Sequence, residues 1–204
     1  MSLDVVLNKY TNGEPIFINE IPCKSKNYLR QELKKLTDNG ILERLYNGVY
    51  YKKYKTILGT DGKVSITKYI NKMYLNDFSG FYTGLTLANK YGFTSQNPSV
   101  IEISSNKATT KQRKNNIDGF TIIIYKPVTK ITKENLSALQ FLDLMVTIDK
   151  YSELKKSELK IKLKEFIYKT NVDFELVKKY ISLYPMCVYK NIYESGMMYE
   201  MVQR

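Results

Sequence analysis

Histidine is absent from this chain of 204 residues. Its absence removes the commonest general base, the Ser–His and Cys–His nucleophile pairs and most zinc sites. Any enzymatic reading has to rest on carboxylates, lysine or tyrosine. Cysteine is scarce too: Cys23 and Cys187 stand isolated and far apart, which fits buried or surface thiols rather than a disulfide framework. No run of 18 apolar residues exists, and the opening "MSLDVVLNKYTNG" has neither a charged n-region nor a long apolar h-region. The sequence therefore predicts a cytoplasmic protein with no membrane segment. Acids are outnumbered, 20 Asp and Glu against 32 Lys and Arg, for a net charge of +12. That balance favours an anionic partner: nucleic acid, an acidic protein or an acidic membrane surface.

What is present is enough for a core. Hydrophobic residues make up 43% of the chain, so it reads as globular rather than disordered or fibrous, and its length suits one large domain or two small ones. "SLDVVLNKY" predicts a short amphipathic helix, "TNGEP" a turn, and "IFINEIP" a very short strand running into a short helix that stops near Pro22. In "SKNYLRQELKKLTDNG", Ser25 is a plausible N-cap and Asn39-Gly40 a stop. Leu29, Leu33 and Leu36 form one apolar stripe, while Asn27, Arg30, Gln31 and Lys34 repeat with the same period on the opposite face. "ILERLYNGVYYKK" then predicts a hairpin turning at Asn47-Gly48, where both residues tolerate positive φ, with Ile41, Val49 and Tyr51 facing the core.

This order of helix, short helix, capped donor-rich helix and basic hairpin is that of a winged helix-turn-helix. From Glu20 to Lys55 there are nine Lys or Arg against four Asp or Glu. In a major groove, Arg30 could read guanine edges in bidentate fashion and Asn27 or Gln31 could pair with adenine. Lys24, Lys26 and Lys34 would neutralise phosphates, adding affinity without sequence information. On the wing, Arg44 and Asn47 would approach the minor groove or backbone, and Tyr46 and Lys52 would bind phosphate oxygens.

"KTILGTDGK", Lys55 to Lys63, has linker composition. Its glycines Gly59 and Gly62 are too close for a phosphate loop, so a domain boundary is placed there. Helices are predicted for "KVSITKYINKMYLN" and from Thr83 to a stop at Gly92, and strands for "SVIEISS" and "DGFTIIIYKP". The second strand is apolar enough to be buried on both faces. Between the strands runs a basic loop carrying Lys107, Lys111, Arg113 and Lys114 and no acid, a possible secondary contact for DNA or an acidic surface. From Thr132 onward the chain reads as helical, with Lys155, Lys156, Lys160, Lys162 and Lys164 interleaved with Glu153, Glu158 and Glu165 as a salt-bridged exposed face.

The fold expected is α+β: a winged helix-turn-helix over residues 1–57, then a mixed domain with a small sheet and several helices over 62–204. Two other functions stay open. The winged helix could bind a partner protein instead of DNA. More remotely, Glu102 and Asp118 at strand ends could hold Mg²⁺ in a nuclease.

The wing "NGILERLYNGVYYK", followed by "GFYTGLTLANKYGFTSQNPSVIEIS" and "GFTIIIYKP", resembles the AbiE-type abortive-infection antitoxins, a family of transcriptional regulators. The likeness runs to about Pro127, and "GFTSQNP", Gly92 to Pro98, carries most of it. The resemblance implies a non-enzymatic protein without cofactor that binds inverted repeats in its own promoter and represses the operon. It also implies a C-terminal domain opposing a partner toxin, a nucleotidyltransferase-like protein.

Overall fold

The computed structural model describes residues 3–203, a mixed α and β chain with two small sheets. It divides into two compact units, Met1–Met73 and Tyr74–Arg204.

The first unit contains α1 (Leu3–Leu7), β1 (Ile16–Phe17), a single 3₁₀ turn (Ile18–Glu20), α2 (Lys26–Asp38), β2 (Leu42–Tyr46), β3 (Val49–Lys52) and α3 (Ile66–Ile70). Its sheet has the order β1-β3-β2, antiparallel throughout. Both ends of α2 are closed by residues suited to the task. Ser25 has extended backbone, and its hydroxyl accepts the Tyr28 N–H at 3.3 Å. At the other end Gly40 takes a φ of +70°, letting its N–H reach the Thr37 carbonyl and the Ile41 N–H reach that of Leu36. Between these caps the apolar stripe docks as expected, with Leu29 and Leu33 buried beside Val6, Leu7, Ile16, Ile21 and Leu42. Ser25→Ala should cost about 1 kcal/mol of stability, measurable as a lowered urea midpoint with an unchanged slope.

Two expectations about the hairpin need correction. Ile41 is 51% exposed and Leu42 is buried in its place. Ile41 is spent on closing the C-terminus of α2, so the strand and its inward alternation begin one residue later. The turn does form at Asn47-Gly48, but only Gly48 has positive φ, at +72°. The ladder slips between Arg44 and Tyr46, which makes Leu45 the extra residue of a bulge.

The Lys55–Lys63 segment lies inside the first unit, which extends past it to Met73. A Lys55–Asp61 ion pair of 2.8 Å closes the loop, and the Tyr54 ring covers Gly62 so closely that a Cβ would meet it at 2.2 Å. α3 belongs to the same unit: fully buried Tyr69 stacks on Phe17, ring centroids 6.0 Å apart, and Lys72 pairs with Glu20 at 2.6 Å.

The second unit opens with β4 (Gly80–Tyr82) and α4 (Gly84–Lys90), followed by β5 (Val100–Ser105), β6 (Gln112–Ile117) and β7 (Phe120–Tyr125). The sheet order is β4-β5-β7-β6, and only the β5–β7 pair is parallel. Five helices complete it: α5 (Leu136–Tyr151), α6 (Lys156–Thr170), α7 (Phe174–Tyr180), α8 (Cys187–Glu194) and α9 (Met198–Gln203). α5 is the pillar, with Leu139, Phe141, Leu142, Leu144 and Met145 all fully buried. A helix apolar on nearly every side has to be enclosed.

Two expectations fail here for related reasons. The basic loop of residues 107–114 is in part the edge strand β6. Asn115 and Ile117 turn inward in strand alternation, and the Asn115 amide donates to the Tyr74 hydroxyl at 3.2 Å. Charged residues on an exposed edge discourage pairing with other chains. β7 is buried on one face only: Ile122 and Ile124 are covered, whereas Ile123 and Tyr125 are half-exposed. Among the described residues no helix is long and apolar enough to cross a membrane.

Candidate nucleic-acid interface

α2 turns its leucines inward, so its polar face has to look outward. Lys26, Asn27, Arg30, Gln31 and Lys34 are all exposed. Lys35, which lies off that face, is engaged by Glu32 at 2.8 Å. The hairpin brings Arg44 and Asn47 toward the same helix. A groove of about 510 Å³ is lined by Ile18, Arg30, Arg44, Asn47, Gly48 and Tyr50, with no acid among them.

The parts of this groove have distinct causes. Arg44 stands opposite Tyr50 in the ladder, and its guanidinium donates to the Asn47 side-chain carbonyl. The positive φ of Gly48 turns the chain so that Asn47 can accept that bond. Arg44 is thereby held at the hairpin tip facing Arg30, and the two expected arms of the interface meet. Tyr50 and Ile18 were not foreseen as lining residues. Tyr50 was legible as the β3 position alternating with buried Val49 and Tyr51, but Ile18 depends on how the 3₁₀ turn packs.

Other expected contacts fall elsewhere. Lys24 lines a different, largely apolar groove of about 690 Å³ with Leu3, Val6, Tyr28 and Leu29. Tyr46 and Lys52 are half-buried, so less of each is available to a phosphate. Lys107, Lys111, Arg113 and Lys114 are exposed but belong to the second unit. Strand alternation sends Arg113 to the face of Asn115 and Ile117 and Lys114 to the other, so they do not form one patch. Arg113 Nε also donates to the Asn115 side-chain oxygen, Oδ1, at 3.0 Å.

Of the two carboxylates considered for a metal, Glu102 serves the scaffold. One Glu102 oxygen accepts the Leu85 N–H and the other the Tyr125 hydroxyl, each at 3.1 Å. It thus caps α4, whose own N-cap Thr83 makes no such bond. The Thr83 hydroxyl donates instead to Asp143. Enclosure in protein, and secondarily the Glu102 charge, push the Asp143 carboxyl up to about 7. Burial, then Glu102, raises Tyr125 to about 12, and burial, then Asp143, raises Tyr184. Asp118 sits apart in the β6–β7 turn at a φ of +48°. No group of three His, Cys, Asp or Glu placed to hold a metal occurs among the described residues.

Gly84 makes the Glu102 cap possible. It has a φ of +57°, and a Cβ there would lie 2.4 Å from a Glu102 oxygen. Gly84→Ala should destabilise by about 1–3 kcal/mol from strain at positive φ alone, and more from the displaced carboxylate. Gly119→Ala, at a φ of +79° with nothing within 4 Å, isolates the backbone part. Equal losses in urea unfolding would mean that Glu102 yields freely.

The segment Gly92 to Pro98 is anchored by one acid. Glu153 accepts from the Ser95 N–H and hydroxyl, both at 2.9 Å, and from the Gln96 amide at 3.1 Å. The backbone bond from Ser95, reinforced by these side chains, holds its carboxyl down to about 2. No family model matches the chain, and no curated protein matches it significantly.

Proposed function

We propose that the first unit is a winged helix-turn-helix that binds duplex DNA, and that the protein is the autorepressing antitoxin of a toxin–antitoxin or phage-defence operon. The observation that carries the DNA reading is the acid-free groove joining Arg30 on α2 to Arg44 and Asn47 at the hairpin tip, beside an exposed helix face rich in long donors. The order α1, β1, 3₁₀ turn, α2 and hairpin, with β1 paired to β3, supports the same assignment. In it α2 enters the major groove and the hairpin follows the backbone. The antitoxin role and a nucleotidyltransferase-like partner toxin rest on the resemblance carried by Gly92 to Pro98.

The test is a fluorescence anisotropy titration on DNA from the protein's own upstream region, with a scrambled duplex beside it, at two salt concentrations. The expected result is at least a tenfold preference for the native duplex. Affinity should fall as salt rises, with a log–log slope of about −0.9 for each phosphate neutralised. Equal, weak binding to both duplexes would overturn the reading. One observation favours a protein partner in that case: the apolar groove bounded by Leu3, Val6 and Tyr28, the last 62% exposed.

A further inference from the structure

A second concentration of positive charge lies in the other unit, in a cavity of about 360 Å³ between the C-terminal end of α4 and one face of α6. α6 supplies Lys162, Glu165, Phe166 and Lys169, spaced so that they share that face; α4 and the turn after it supply Lys90 and Tyr91. Glu165 is the only acid in the lining and is paired with Lys162 at 2.9 Å. Lys90 and Lys169 have no carboxylate partner among the described residues. Their ammonium groups lie over aromatic rings, Lys90 4.4 Å from the Tyr82 centroid and Lys169 5.7 Å from that of Tyr91. Such rings hold a cation in place without neutralising it.

Each of these lysines lies in the last turn of its own helix, where a cation is favourable. Service to a helix end does not require two of them to converge on one cavity, where they repel. Burial and then the neighbouring Lys169 charge push the Lys90 ammonium below the ordinary lysine value, and an anion seated between them would relieve that repulsion. Three cations against one acid leave a surplus of two charges. The wall is aromatic: Tyr91 meets Phe166 edge-on, centroids 4.7 Å apart. The volume falls at the small end of ligand pockets, about 300–1,000 Å³.

We propose that this cavity binds a phosphate monoester, its dianion held by Lys90, Lys162 and Lys169 and its organic part resting against Tyr91. The three lysines line one small cavity of about 360 Å³, which fits one terminal phosphate better than an extended nucleic-acid backbone. Binding here is independent of the DNA groove of the first unit.

The full-length protein would be titrated with inorganic phosphate, a ribonucleoside 5′-monophosphate and a short duplex, at ionic strength held constant with chloride, and followed by thermal unfolding. The expected result is a saturable rise in Tm, with the monophosphate half-saturating at a tenth or less of the concentration inorganic phosphate needs. Lys90→Gln with Lys169→Gln should raise that midpoint at least tenfold. Lys156→Gln, which removes one charge from exposed α6 surface outside the cavity, should leave it unchanged. Inorganic phosphate and the monoester binding alike would overturn the role of Tyr91 and with it the monoester assignment. No saturation, saturation that survives the double substitution, or a response to the duplex alone would each sink the site.

Discussion

Arg30→Ala is expected to lower affinity for the operator by about 1–3 kcal/mol, roughly 5- to 150-fold, and to relax the sequence requirement at one base position. Arg30 is exposed on α2 at the edge of the polar face, flanking the leucine stripe, and it also forms one wall of the groove shared with Arg44 and Asn47. A planar guanidinium there can present two parallel donors to a guanine edge, which a lysine ammonium cannot. Lys34→Ala, one turn further along the same exposed face, should weaken native and scrambled duplexes alike and reduce the salt slope by about one. The hairpin tip makes a sharper demand. Because the Asn47 amide holds the Arg44 guanidinium, Asn47→Ala should cost affinity through the misplacement of Arg44. Asn47→Ala and Arg44→Ala should therefore be strongly non-additive. Anisotropy titrations on the native duplex and on single-base variants separate these roles. If Arg30→Ala weakens every duplex equally, Arg30 contacts phosphate and the base-reading assignment is wrong.

Local signals read from the sequence held wherever one residue closes one element. Ser25 caps α2, Gly40 ends it, Leu29 and Leu33 are buried, and Gly48 turns the hairpin. The errors arose where the deciding partner is distant in sequence. Ile41 looked like a core residue of the strand, but closing α2 claims it. The stretch from Lys107 to Lys114 looked like a loop because it has almost no apolar content, yet from Gln112 to Ile117 the chain is extended. It is a strand because β7 offers it a ladder and Tyr74 offers Asn115 a partner, neither of which lies in the segment itself. Glu102 read as a candidate metal ligand at a strand end, and its place at the start of α4 depends on Gly84 leaving room for it. In the candidate interface, the donors on α2 were legible from helical period alone. The meeting of Arg30 with Arg44 in one groove depends on how the hairpin packs beside α2, which the Asn-Gly signal does not announce.

Stability should fall as pH rises from about 5 to 7 and then level off, and Asp143→Asn should abolish most of that fall. Although part of the residue reaches the surface, the Asp143 carboxyl is enclosed, and enclosure with Glu102 nearby holds it up at about 7. In the unfolded chain it titrates near the ordinary value of about 4. Between those values the folded state binds a proton that the unfolded state has lost, so raising the pH favours unfolding. Above about 7 both states are ionised and the slope vanishes. Asparagine keeps an oxygen for the Thr83 hydroxyl and carries no charge at any pH. The variant should accordingly match the parent near pH 4 and exceed it at pH 8 by roughly 2–4 kcal/mol. Glu153 titrates with the opposite sense, since its carboxyl is held down to about 2; its contribution is lost only as pH falls below about 4.5, outside this window. Tyr125 and Tyr184 are both shifted upward and lie above it. Urea midpoints of the two proteins at pH 5, 6, 7 and 8 decide the matter. A parent curve that stays flat or rises across that range, with Asp143→Asn no more stable at pH 8, would mean that the carboxylate is ionised and well paired in the folded state. The Thr83–Asp143 hydrogen bond would then be a charged anchor for the β4–α4 turn rather than a neutral one.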